Sequence, residues 1–79
     1  MRRARLIRRS SFDLENYLPP AGWRRWGARN KAEVVIAVRS GALGRVAAYE
    51  RYTLSEEELS RWEDAFDQDG IAGLQATRR

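Results

Sequence analysis

The sequence predicts an all-α fold, a small helical domain that contains a helix-turn-helix and follows a basic N-terminal arm. Three observations predict it. Val34, Val35 and Val38 recur at helical spacing, and Gly41 stands where a helix would end. Ser55 and Glu58 have the spacing of a capping box, and Leu59, Trp62 and Phe66 then make one apolar stripe. Between these segments lies a short helical stretch that ends at the break Thr53-Leu54, so two helices are joined by a tight turn.

Residues 1–22 read as a basic arm and linker, expected to be mobile. Arg2, Arg3, Arg5, Arg8 and Arg9 fall in a stretch of weak periodicity, and Pro19-Pro20 followed by Gly22 would break any helix crossing it. Leu6, Ile7, Phe12, Leu14, Tyr17 and Leu18 give part of the arm apolar surface with which to fold back on the core. The helix-turn-helix domain is expected over 23–74, with a short basic tail at 75–79. Its first helix spans about 28–39. Asn30 and Glu33 have capping-box spacing there, with an earlier start at Gly27 as the alternative. The second helix spans about 44–52, where Ala48 and Tyr52 are one turn apart. The third spans about 55–68, with Ser55 as N-cap, Leu54 and Leu59 as a hydrophobic staple, and Gly70 as terminator. Ile71 to Leu74 are expected to form a terminal turn that closes over the core. Trp26 and Trp62 are expected in that core, and Trp23, between Gly22 and Arg24, is the freest of the three tryptophans.

Composition narrows the function. Seventy-nine residues suffice for one domain with a limited core. The absence of cysteine excludes disulfides, thiolate zinc sites and cysteine nucleophiles, and the absence of histidine removes the commonest general base and metal ligand. No segment approaches the ~20 apolar residues of a membrane span, and no apolar region follows the charged start as in a secretory signal. The expectation is a cytoplasmic binding protein rather than an enzyme, with no cofactor, metal, membrane contact or small-molecule substrate. Asp67-Gln68-Asp69-Gly70 has the middle of a calcium loop, but Ala65 and Ala76 stand where its end ligands belong.

Charge is divided along the chain. Residues 1–39 hold ten Lys/Arg and three Asp/Glu, a net of +7, and residues 40–79 hold five and eight, a net of −3, which together give the overall +4. A basic first half favours nucleic acid or another acidic partner. Glu56, Glu57 and Glu58 fit a structural role, because carboxylates in a first helical turn complement the helix dipole.

The residues from Leu18 to Arg78 resemble a known family. Leu18-Pro19-Pro20, Arg25-Trp26, Arg29, Lys31-Ala32, Val34-Val35, Ala37-Val38-Arg39 and Gly41 carry the first half of the resemblance. Leu43, Ala48, Glu50-Arg51-Tyr52, Leu54-Ser55, Glu57-Glu58, Trp62, Ala65, Asp67, Gly70, Gly73-Leu74 and Thr77-Arg78 carry the second. The chain is similar to the SciP-like family of small alphaproteobacterial proteins, inhibitors of the cell-cycle regulator CtrA. That resemblance implies a Trp-repressor-like, or transposase-like, helix-turn-helix domain. It also implies a role in transcription, by binding DNA, a response regulator, or both. Tyr49 stands where the family has a small residue at a close helix crossing, so it must point aside or widen the crossing. Glu63, Asp64, Gln68 and Asp69 stand where the family often carries Gln, Arg or His.

Three sets of candidate residues follow. Arg24, Arg25, Arg29, Lys31, Arg39, Arg45 and Arg51 are placed for DNA phosphates, and Ser55, Ser60 and Arg61 for base edges. Glu63, Asp64 and Asp69 would instead meet a basic protein. The first expectation is therefore a DNA-binding transcriptional regulator of helix-turn-helix type, with double-stranded DNA as partner and nucleoid association. The alternative is a protein-interaction module that inhibits a transcription factor without specific DNA contact. A stand-alone transposase DNA-binding domain is a third. Oligomeric state is left open.

Overall fold

The structure, a computed structural model, describes residues 18–77, and these are all-helical: α1 (Ala28–Ser40), α2 (Arg45–Tyr52) and α3 (Glu56–Leu74). Residues 1–17 of the expected arm and linker, and the last two residues of the tail, lie outside the described residues.

Each helix end has a visible cause. The α1 cap is at Gly27, the earlier of the two starts the sequence allows, and Asn30 serves from inside the first turn. Its side-chain oxygen accepts from the Gly27 N–H at 3.3 Å. Gly41 takes the left-handed conformation and returns its N–H to the Val38 carbonyl. In α2 the expected first residue, Gly44, is the N-cap, and Thr53 terminates the helix with φ of 51°. The N–H of Leu54 then bonds the Tyr49 carbonyl at 2.9 Å, which tightens the turn into α3. The Ser55–Glu58 box forms reciprocally, with both bonds at 3.0 Å, as its spacing predicts.

α3 is interrupted where Gly70 was expected to end it. Asp69 and Gly70 leave helical geometry, Gly70 at φ 63° and ψ −145°, a region essentially reserved for glycine. Helix resumes to Leu74, and that last turn folds against the body of α3. Gly73 makes the approach possible, because a Cβ there would collide with the Ala65 carbonyl. The turn delivers Leu74, fully buried, into the core.

The core joins Ala32, Val34 and Val35 of α1, Ala48 and Tyr52 of α2, and Leu59, Trp62 and Leu74 of α3, with Leu54 from the turn. α1 packs chiefly on α3. Trp26 lies edge-on to Tyr52 and tilted to Trp62, each at 5.1 Å between ring centroids, so it is partly buried against the core. Trp23, expected to be the freest tryptophan, also packs there. Its indole N–H donates to the Arg25 carbonyl at 3.0 Å.

The linker boundary needs correction. Leu18 is buried, the Tyr52 hydroxyl donates to the Pro19 carbonyl at 2.7 Å, and the Gly22 N–H bonds the Arg51 carbonyl. Residues 18–22 thus belong to the domain. A Pro-Pro pair breaks a helix, but its carbonyls still accept hydrogen bonds, and Tyr52 uses one.

Candidate interaction surface on the third helix

The cations expected to meet phosphates divide into two groups. Lys31 is buried at 3% exposure. Its ammonium donates to the carbonyls of Leu74 and Thr77 and, at 2.7 Å, to the Thr77 hydroxyl, and it lies 5.7 Å from the Trp62 ring centroid. Burial lowers its pKa from the usual 10.5. It caps the C-terminal turn and cannot reach a phosphate, which corrects its place in the expected set. Arg39 forms a bidentate pair with Asp67 at 2.6 and 2.9 Å and comes within 3.7 Å of Glu63. Arg45 forms a second bidentate pair, with Glu63 at 3.0 and 2.9 Å, while its Nε donates to the Tyr49 hydroxyl at 3.1 Å. Arg51 donates to the Pro19 carbonyl and the Tyr52 hydroxyl. Arg24, Arg25 and Arg29 are exposed and have no carboxylate partner among the described residues.

The base-edge candidates fare unequally. Ser55 is exposed, but its hydroxyl is engaged as the N-cap. Ser60 is half-buried, 3.5 Å from Arg45 Nη2. Arg61 alone of the three is exposed with no hydrogen bond or ion pair to another described side chain. Of the partner candidates, Glu63 has a side chain only 15% exposed and lies between Arg45 and Arg39, so it belongs to the internal network. Asp64 and Asp69 are exposed and free of ion pairs among the described residues.

This network explains how α2 is held on α3. Arg45 and Tyr49 on α2, Glu63 and Asp67 on α3 and Arg39 on α1 connect all three helices. The hydrogen bond from Arg45 holds the Glu63 carboxyl below the usual glutamate range, and Arg39 does the same for Asp67. Tyr49 is partly buried against the core, and its hydroxyl accepts from Arg45. Its spacing of four from Arg45 was readable from helical periodicity. Asp67 and Thr77 offered no comparable signal, since their partners are 28 and 46 positions away.

What α3 leaves outward is mainly acidic. Glu56, Glu57, Ser60, Arg61 and Asp64 line a shallow depression of about 400 Å³. Arg61 and Asp64 also border the neighbouring groove, about 480 Å³, which continues past Gln68 and Asp69 to the C-terminal turn. Glu56, Glu57, Asp64 and Asp69 make no ion pair among the described residues, and Arg61 is the cation among them. Among the described residues no cluster of three or more acidic groups is placed to hold a metal. None of their helices is long and apolar enough to cross a membrane.

Fold and surface together define a small all-α protein with an acidic face along its longest helix. The chain belongs to the family described as Protein of unknown function (DUF1153), whose model matches residues 10–79. Neither a curated protein nor a solved structure matches it.

Proposed function

We propose that the chain is a helix-turn-helix protein of transcription control that acts by docking the acidic face of α3 on a basic surface of a transcription factor. One observation carries this reading. The cations best placed around the helix pair, Arg39 and Arg45, are neutralised by Glu63 and Asp67, whereas Glu56, Glu57, Asp64 and Asp69 stay exposed and make no ion pair among the described residues. A helix offering that face to a major groove would set carboxylates against phosphates, and like charges in juxtaposition are costly. The DNA-binding surface of a transcription factor carries the complementary charge. The resemblance to SciP-like proteins supports a response regulator of the CtrA type as that factor. α2, the turn at Thr53–Ser55 and α3 are compatible with a helix-turn-helix.

Direct DNA binding is the second reading, favoured by Arg24, Arg25 and Arg29, which are exposed and make no ion pair among the described residues. Calorimetric titration of the chain into the DNA-binding domain of a CtrA-type response regulator, with parallel anisotropy on mixed genomic duplexes, separates the two. The expected result is salt-sensitive binding to the domain, with any duplex binding uniform and lost at physiological salt. Sequence-selective duplex binding that survives physiological salt, with no heat from the domain, would overturn the first reading in favour of the second.

A further inference from the structure

A second concave surface lies away from the α3 face. Gly22, Trp23, Arg24, Trp26, Tyr52 and Thr53 line a groove of about 410 Å³, and no α3 residue contributes to it. Three properties of the groove point to an occupant. First, Trp26 carries a buried indole N–H with no hydrogen-bond acceptor among the described residues. Buried indole N–H groups normally find one, because leaving a polar group unmet costs free energy. Second, the wall is already fixed. The Trp23 indole is tied to the Arg25 carbonyl, the Trp23 N–H to Pro20 and the Gly22 N–H to Arg51, so little ordering remains to be done on binding. Third, Arg24 borders the groove without a carboxylate partner among the described residues.

We infer that this groove is a docking site for an acidic peptide segment of a partner protein, which seats an aromatic or branched apolar side chain against Trp23 and a carboxylate on Arg24. The lining chemistry suits this occupant. Tryptophan, tyrosine and arginine are the residues that most often dominate binding energy at protein interfaces. A carboxylate on a guanidinium is a charge-assisted pair that fixes the peptide's register. Duplex DNA fits less well: its phosphates would engage Arg24, Arg25 and Arg29 together from outside and leave the aromatic groove unfilled.

The test pans a phage-displayed library of random dodecapeptides on the full chain, then titrates the enriched peptides into ¹⁵N-labelled full chain and follows the indole N–H signals. Enriched clones are expected to combine Asp or Glu with an aromatic or branched apolar residue. The Trp26 and Trp23 indole signals should move and that of Trp62 should stay. Arg24→Glu should weaken binding at least about tenfold, and Arg25→Glu, the same change of charge outside the groove, less than about threefold. Equal losses in the two variants would mean that only diffuse charge is read, and would overturn the site. So would enrichment of basic clones, failure to enrich any clone, or peptides that leave the Trp26 indole unmoved. None of these outcomes touches the α3 reading, whose residues lie elsewhere.

Discussion

Lys31 shows how much one side chain decides at the residue scale. Its ammonium donates to the Leu74 and Thr77 carbonyls and to the Thr77 hydroxyl, tying the start of α1 to the end of α3. Lys31→Met keeps the apolar stem and removes all of the donors, so it should destabilise the fold by about 1–3 kcal/mol in urea denaturation, the usual cost of losing hydrogen bonds from a charged group. Gly70 is the second such residue. At φ 63° and ψ −145° an alanine is strained, and Gly70→Ala should cost roughly 1–3 kcal/mol by the same measurement, even though a Cβ there meets open space. A neutral result for Gly70→Ala would mean that the break in α3 relaxes at no cost. The sequence announced Gly70 as a helix terminator and placed Lys31 one turn before Val34 and Val35, near the face they bury, but its charge reads as one more solvated cation. Its burial depends on a partner 46 positions away, beyond any local pattern.

At the scale of the element, legibility follows the range of the interaction. Ser55 and Glu58, three residues apart, announced the start of α3, and Val34, Val35 and Val38 announced the face that α1 buries, because both signals are complete within a few turns. The two bidentate pairs were not legible, since Arg39 and Asp67 meet only after α1 and α3 have packed. For the same reason the expected phosphate set was too large. Arg39 and Arg45 looked free in the chain and are engaged in the fold. The network carries a pH dependence with a defined sign. Glu63 and Asp67 titrate lower in the fold than in the unfolded chain, so the stability they contribute is fully present above the unfolded carboxylate range, about 4. It is lost as pH falls through their depressed folded values. Thermal melts followed by circular dichroism should show the melting temperature falling from pH 6 to pH 3, and Glu63→Gln should flatten part of that fall. An identical acid profile in Glu63→Gln would remove the network from the account of how α2 is held.

For the whole molecule, the described surface separates charge by region. Arg24, Arg25 and Arg29 stand exposed at the approach to α1, while Glu56, Glu57, Asp64 and Asp69 mark the outer side of α3. The sequence already showed the basic first half and the acidic second half. It could not show which charges cancel internally, and that cancellation is the ground on which we propose a basic protein partner rather than DNA. Attraction between exposed charges acts over about 10 Å at 0.1 M salt, so such a partner should associate more slowly as salt rises, which stopped-flow mixing would register as a falling association rate.

The most direct measurement compares the wild-type chain with the double variant Glu57→Lys/Asp64→Lys, at one salt concentration, for binding to the response-regulator domain and to duplex DNA. Both positions are exposed and outside the ion-pair network. The account predicts that the variant loses at least about tenfold in affinity for the protein domain. It also predicts a gain for DNA, with a salt dependence steeper by roughly 0.9 for each phosphate contact added. Unchanged affinity for the domain, or loss of a sequence preference on DNA that the wild type possessed, would contradict the claim that the acidic face of α3 is the working surface of this protein.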